Sequence, residues 1–81
     1  MREVRSAHFK RSYKKFTIEI RIAFAKQVLF LLSDIRHPSL RAKKYDETHG
    51  VWQARVTDHV RFYFKIEDDI YYLIDIEKHT D

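Results

Sequence analysis

Two arginines lie in a stretch that otherwise alternates between apolar and polar residues, VWQARVTDHVRFYF (residues 51–64). In a period-two pattern, Arg55 and Arg61 fall on the face that the apolar set leaves open. The planar fork of a guanidinium fits a phosphate, and it also fits a carboxylate. The pair therefore indicates either an anion-binding surface or a structural ion-pair surface.

Other side chains near this pattern could take part in chemistry on a nucleic acid. His79 follows the last apolar strand with the parity of the arginine face, and imidazole can act as a general acid or base near neutral pH. Tyr63 and Tyr71 are placed on the same face, where they could stack on unpaired bases or cover the sheet. Lys43 and Lys44 add positive charge after the second helix. His79 is equally consistent with a terminal histidine that has no catalytic role.

Several classes of site are excluded by composition. The sequence has no cysteine and a single glycine, which excludes disulfides, thiolate metal sites and a glycine-rich phosphate loop. His49, His59 and His79 have no histidine or cysteine at short spacing, so no zinc site and no cofactor are expected. The longest apolar run, Val28 to Leu32, is too short to cross a bilayer, and there is no signal-peptide pattern, so we expect a cytoplasmic protein.

The chain is short and basic. Its 81 residues allow one small domain, residues 1–81, and the net charge is +4 with a pI near 9.5. Six basic residues crowd the first fifteen positions: Arg2, Arg5, Lys10, Arg11, Lys14 and Lys15. Such a surface suits a polyanion or an acidic protein partner.

The first half predicts a short strand and two helices. Residues 2–7 form the strand, residues 8–16 a basic helix, and residues 18–34 a longer helix with Thr17 as its N-cap. Pro38 forces the chain out of helix. Two sets of apolar residues in the longer helix are expected to face the core: Ile18, Ile22, Ala25, Leu29 and Leu32, widened by Phe24, Val28, Leu31 and Ile35.

The second half predicts three antiparallel strands with one buried face. The buried set is Trp52, Ala54, Val56, Val60, Phe62, Phe64, Ile66, Ile70, Tyr72, Ile74 and Ile76. The opposite face holds Val51, Gln53, Arg55, Thr57, Arg61, Tyr63, Lys65, Tyr71, Leu73, Asp75 and Glu77. The switch from helical to period-two patterning predicts an α+β fold, with an N-terminal strand and a two-helix hairpin on a small, mainly antiparallel twisted sheet.

Register follows from keeping apolar residues opposite one another. A three-residue connection at 58–60 pairs Arg55 with Tyr63, and a second one at 67–69 places Arg61 opposite Asp75. On this register Arg55 has no acid opposite it, whereas Arg61 could form a cross-strand ion pair.

Taken in order, these segments resemble the RelE/ParE superfamily of bacterial toxins from type II toxin–antitoxin modules. The resemblance covers nearly the whole chain: the helix FKRSYKKF, the segment HPSLRAKKY, the strands GVWQARVTDHVRFYFKIEDD and the end IYYLIDIEKHTD. It implies a fold similar to that of small microbial ribonucleases, and an antitoxin as protein partner.

The resemblance also implies residue roles. Members of the RelE branch cut mRNA on the ribosome without a metal, which blocks translation. By resemblance, Arg61 stabilises charge on the scissile phosphate, Arg55 and Lys43 or Lys44 contact RNA, and His79 is the general acid. The general base is unassigned. The ParE branch, which inhibits DNA gyrase without a nuclease site, and a family member with only a binding role are the alternatives.

Overall fold

The computed structural model describes residues 1–79, so Thr80 and Asp81, at the end of the expected domain, lie outside the described residues. The elements along the chain are β1 (Arg2–Arg5), α1 (Ala7–Tyr13), α2 (Ile18–Ser33), a 3₁₀ turn (Pro38–Leu40), β2 (Lys43–Asp46), β3 (Val51–Thr57), β4 (Val60–Glu67) and β5 (Ile70–Lys78).

The strands form one mixed sheet. Its order is β1-β5-β4-β3-β2, with β1 parallel to β5 and every other pair antiparallel. Because β1 is an edge strand beside the last strand, the chain crosses over through the two helices, which cover one face of the sheet. The predicted α+β fold is confirmed. We call the uncovered side the open face.

Side-chain hydroxyls begin both helices. Ser6 Oγ accepts from the Phe9 amide at 3.0 Å and donates to the Ile74 carbonyl at 3.3 Å, which fixes the start of α1 against β5. The prediction of Thr17 as an N-cap is confirmed, since its Oγ1 accepts from the Ile20 amide at 3.4 Å. Each cap satisfies a helix-end amide that has no partner within the helix.

The predicted core stripe of α2 is partly wrong. Ile18, Ile22 and Leu29 are 63%, 64% and 67% exposed, whereas Phe24 and Leu31 are fully buried. Apolar residues occupy both sides of α2, so helical spacing alone could not decide which side meets the sheet. Among the described residues, no helix is long and apolar enough to span a membrane.

The core lies between the helices and the sheet. Phe62 and Phe64 are fully buried in β4, and Phe62 meets Phe24 of α2 edge-on with ring centroids 5.3 Å apart. Phe9 of α1 packs against the same Phe24 ring at 5.3 Å. Interlocked aromatic rings from three elements therefore hold the helices to one face of the sheet.

The register between β3 and β4 differs from the predicted one. The connection is a two-residue turn with Thr57 paired to Val60, and a bulge at Val56 then brings Arg55 directly opposite Arg61. With a two-residue turn alone, apolar residues of β3 would lie opposite polar residues of β4. The extra residue in the bulge shifts the pairing by one, so apolar side chains still lie opposite one another. The predicted pairing of Arg55 with Tyr63 is wrong.

A second bulge, at Ile74, separates the two halves of β5. Glu67 pairs with Ile70 around a two-residue turn in which Asp68 has φ 53°, and beyond the bulge Arg61 lies opposite Glu77. The predicted pairing of Arg61 with Asp75 is therefore wrong. The bulge also reverses the faces of the first half of β5, so that Tyr71 and Leu73 are buried and Ile74 lies on the open face.

Candidate active site

Both arginines of the open face reach toward the β3–β4 turn. Arg61 Nη1 donates to the Thr57 carbonyl at 2.5 Å and to the Val60 carbonyl at 3.2 Å. No acid lies opposite Arg55 across the strands, as expected, but Arg55 Nη2 lies 3.3 Å from Asp58 Oδ1 in the turn. Within residues 1–79, no carboxylate forms an ion pair with Arg61. Because Nη1 is only one of three nitrogens in the guanidinium, Arg61 retains N–H donors for an anion.

The same turn holds the main chain of His79. The His79 amide donates to the His59 carbonyl at 2.7 Å, which extends the β4–β5 ladder one step beyond the Val60–Lys78 pair. The prediction that His79 lies beside this turn is confirmed. The imidazole belongs to an exposed residue, so solvent or a ligand can reach it. The side chains of Arg55 and Arg61 and the main chain of His79 therefore meet at one turn, although the arginines come from different strands and His79 follows β5.

A buried amide supports the strand that carries Arg55. Gln27, only 4% exposed, donates through Nε2 to the Arg55 carbonyl at 2.7 Å and to the Ser39 carbonyl at 3.0 Å. Its Oε1 accepts from Ser39 Oγ at 2.9 Å. These hydrogen bonds hold the segments together, because a buried amide that lost any of its partners would cost the fold free energy. Gln27 thus fixes the main chain of β3 next to its bulge, at the residue whose side chain extends toward the turn.

The structure separates the two predicted RNA-binding lysines. Lys43 pairs with Gln53, which pairs in turn with Tyr63, so Lys43 belongs to the row beside the two arginines. Lys44 is on the other side of β2, with Nζ 5.7 Å from the centre of the Trp52 ring. Successive residues of a strand point to opposite faces, so only Lys43 lies on the open face.

The aromatic residues of the open face differ from the predicted ones. Tyr71 is 4% exposed and packs edge-on against Phe64 in the core, so the idea that it stacks on bases is wrong. Tyr63 does lie on the open face but is 9% exposed, with the ring of Tyr45 5.1 Å away. Tyr45 is 62% exposed and is the ring that a base could reach. Sequence reasoning missed it, because no strand was predicted at Lys43–Asp46 and Tyr45 was therefore assigned to no face.

Two carboxylates lie on this face, as the sequence predicted, although neither was assigned a catalytic role. Glu77 lies opposite Arg61, and Asp75 lies opposite Tyr63. A hydrogen bond with Asp75 raises the pKa of Glu77, and burial and the charge of Asp75 act in the same direction. Asp75 Oδ1 also lies 3.2 Å from His8 Nε2 of α1. The signal was present in the sequence, since acids two residues apart in a strand point to the same side.

These side chains border a shallow hollow of about 210 Å³ on the open face. Its lining comprises Tyr45, Val51, Tyr63, Ile74, Asp75 and Glu77. Burial raises the pKa of Tyr63, and the negative charges of Glu77 and Asp75 add to the shift while Arg61 opposes it, so the phenol stays protonated at neutral pH. The hollow therefore combines an apolar floor with a hydroxyl and two acids. Among the described residues, no group of three or more histidines and acids is arranged to hold a metal ion.

Comparison with known proteins gives one kind of match. No protein-family model matches the sequence, and no curated protein matches it either. Among solved structures, the chain resembles a YoeB/ParE toxin from Agrobacterium tumefaciens, with 13% identity and a TM-score of 0.81 over 99% of this chain and 100% of that one.

Two toxins solved in complexes are also similar. The RelB–RelE antitoxin–toxin complex from Methanococcus jannaschii matches with 13% identity and a TM-score of 0.76, over 93% of this chain and 88% of that one. The intact RelBE toxin–antitoxin complex from E. coli matches with 11% identity and a TM-score of 0.73, over 98% of this chain and 96% of that one. At such low identity the likeness concerns the backbone, and it confirms that this chain has the fold of the RelE/ParE toxins that its sequence resembles.

Proposed function

We propose that this protein is the toxin of a type II toxin–antitoxin module and acts as a metal-independent endoribonuclease on ribosome-bound mRNA, which would block translation. The observation that carries the proposal is the convergence of Arg55, Arg61 and His79 on the β3–β4 turn. Two guanidinium groups at a turn that also binds the main chain of a histidine suit a phosphodiester, which is an anion whose cleavage requires proton transfer.

The proposed reaction needs only groups of the RNA and the protein. The ribose 2′-oxygen loses its proton and bonds to phosphorus, and the bond from phosphorus to the 5′-oxygen breaks as that oxygen gains a proton. The products end in a 2′,3′-cyclic phosphate and a 5′-hydroxyl. Arg61 stabilises the charge that develops on the phosphate oxygens, Arg55 contacts the backbone, and His79 donates the proton to the leaving oxygen.

Binding of single-stranded RNA uses the row next to the arginines. Lys43 contributes a positive charge on the open face, and Tyr63 forms the floor beneath the exposed ring of Tyr45, on which a base can stack. Lys44, beside Trp52, contributes only to the general positive field.

An antitoxin is the expected partner, as in the complexes to which this fold is similar. An acidic segment that folds on binding would cover at least part of the Arg55–Arg61–His79 surface. The exposed apolar residues Ile22 and Leu29 of α2 offer such a segment a second contact. Residues seven apart lie on the same side of a helix, and exposed apolar side chains that share one side can form an interaction surface.

The alternative is a ParE-like gyrase inhibitor or a member with only a binding role. The carboxylates favour it, because Asp58 already occupies Arg55, and Asp75 and Glu77 place negative charge beside the site. A polyanion would experience repulsion from these groups.

Single-turnover cleavage of ribosome-bound mRNA distinguishes the two functions, with gyrase supercoiling assayed in parallel. We expect His79→Gln to lose about 10²–10⁴-fold of the cleavage rate, because Gln cannot donate a proton to the leaving oxygen. Arg61→Ala should lose about 10²–10³-fold, the usual cost of a group that stabilises transition-state charge. Arg55→Ala should lose less.

Matched controls are His59→Gln, which changes an exposed histidine of the same turn, and Arg36→Ala, which changes an exposed arginine outside the site. Both should cleave as the wild type does. Full cleavage by His79→Gln would remove the general-acid role. Inhibition of gyrase by the wild type without cleavage of RNA would favour the alternative.

A further inference from the structure

The carboxyl pair on the open face is placed where a general base is needed. Glu77 is directly opposite Arg61 across β4 and β5, and residues opposite one another in an antiparallel pair have Cα atoms about 4.5–5.5 Å apart. The side chain of Glu77 borders the hollow that also contains Asp75 and Tyr63. A phosphate held by Arg61 would therefore lie within reach of the Glu77 carboxylate.

The spacing of Glu77 and His79 suits an acid and a base that act on one phosphodiester. Two residues along an extended chain are roughly 6.6 Å apart and point to the same side. In an in-line displacement the attacking and leaving oxygens lie on opposite sides of phosphorus, so the groups that accept and donate protons must be separated by more than a single hydrogen bond. Arg61 would then contact the phosphate oxygens between them.

We propose that Glu77 is the general base of the proposed endoribonuclease and that Asp75 and His8 position it. The inference rests on the function proposed above. Glu77 accepts the proton of the ribose 2′-hydroxyl while the 2′-oxygen bonds to phosphorus, and His79 donates a proton to the 5′-oxygen as its bond to phosphorus breaks. The protein thus gains one proton at Glu77 and loses one at His79, and solvent exchange restores both.

The surroundings of Glu77 make it a stronger base than an ordinary carboxylate. The neighbouring titratable or charged groups are Asp75 and Lys78 of β5, Arg61 and Tyr63 of β4, Tyr45 of β2, and His8 and Lys15 on the α1 side. The hydrogen bond and charge of Asp75 raise the pKa of Glu77, and the charge of His8 lowers it. A carboxylate with a raised pKa holds the transferred proton better.

The test is the pH profile of cleavage with the full-length protein and a ribosome-bound mRNA, in single turnover. The wild-type profile should be bell-shaped, with a rising limb set by ionisation of Glu77 and a falling limb set by the general acid. Glu77→Gln should lose about 10²–10⁴-fold, whereas Glu77→Asp should keep part of the activity. Glu67→Gln, an exposed acid at the far end of β4, is the matched control and should cleave normally.

If Asp75 and His8 position Glu77, changing them should shift the rising limb of the pH profile in opposite directions. Asp75→Asn removes the charge that raises the pKa of Glu77, so the limb should move to lower pH. His8→Gln removes the charge that lowers it, so the limb should move to higher pH. A merely structural role would change the rate without moving the limb.

Two results would overturn the proposal, and they are distinct from failure of the proposed function. If the wild type cleaves and His79→Gln does not, but Glu77→Gln cleaves fully, Glu77 is not the base. Faster cleavage by Glu77→Gln would mean that the carboxylate only repels RNA. If the wild type cleaves nothing, the proposed function fails first and the base assignment fails with it. Urea unfolding of each variant confirms that it is folded.

Discussion

The two faces of the sheet are made by the same strands but obey different rules. On the helix-covered face, Phe62, Phe64 and Leu73 are fully buried, so each side chain must fit the shape of its neighbours. On the open face, Arg61 and Glu77 remain at least partly exposed, and they have donors and acceptors that water can satisfy. The free energy of folding therefore depends mainly on the first face, and the second is free to carry charges that serve binding and catalysis.

The bulges at Val56 and Ile74 allow both faces to exist in one sheet. Each inserts one residue into a strand, so the core contacts are preserved while the residues opposite one another on the open face change. The result is a row in which Arg55, Arg61 and Glu77 lie side by side. Bulges are common next to functional sites because they re-aim side chains without opening the core.

The largest expected contrast between the faces is in stability. Phe62→Ala should destabilise the protein by about 3–5 kcal/mol, because it leaves a cavity among aromatic rings that cannot close it. Arg61→Ala, one residue away on the other face, should cost only about 0.5–1.5 kcal/mol through its lost hydrogen bonds to carbonyls of the turn. Urea unfolding of the two variants measures the difference. Equal losses would mean that the open face is structural.

A smaller contrast concerns neighbouring lysines on opposite faces. The binding constant for single-stranded RNA falls as salt rises, and the slope of its logarithm against the logarithm of the salt concentration counts phosphate contacts. Lys43→Ala should reduce this slope by about 0.7, the value of one contact. Lys44→Ala should leave the slope nearly unchanged, because Lys44 lies over Trp52 on the other side of β2. Fluorescence anisotropy with a labelled oligonucleotide over a salt series measures both. The opposite ranking would contradict the assignment of Lys43 to the binding surface.

The smallest expected effect is the pH dependence of stability due to Glu77. Its pKa in the folded protein is raised above the ordinary 4.5, so between these two values the folded chain binds more protons than the unfolded chain. Stability from this group is complete below 4.5 and is lost as pH rises through the raised pKa. Since Glu77 is exposed, solvent screening keeps the change small.

Urea midpoints of wild type and Glu77→Gln across that pH range give the measurement. Relative to the wild type, Glu77→Gln should gain stability as pH rises, and other titrating groups cancel because both proteins contain them. A difference that stays constant with pH would show that Asp75 does not perturb Glu77.

The sequence determined the types of element and their order except for β2, the short strand Lys43–Asp46, which was not predicted. Helical spacing around Phe24 and Val28, the N-cap Thr17 and the break at Pro38 predicted the helices to within a few residues, and period two predicted the strands. Parity also predicted that Arg55, Arg61 and Tyr63 lie on the side of the sheet away from the helices. These features are local, because they depend on the directions in which neighbouring side chains leave the backbone.

The tertiary structure alone decided the register and the side of α2 that is buried. A shift of two residues keeps every side chain on its own face, so the period-two pattern could not tell Arg55 opposite Tyr63 from Arg55 opposite Arg61. A bulge changes the parity within a strand, and no pattern in IYYLIDIEK announced the one at Ile74 that buries Tyr71. Likewise Ile22 and Phe24 are both apolar, and only the fit of aromatic rings between helices and sheet selects Phe24 for the core. Packing decides these matters because it depends on the joint shape of distant segments, whereas a sequence pattern records only the chemistry of each segment by itself.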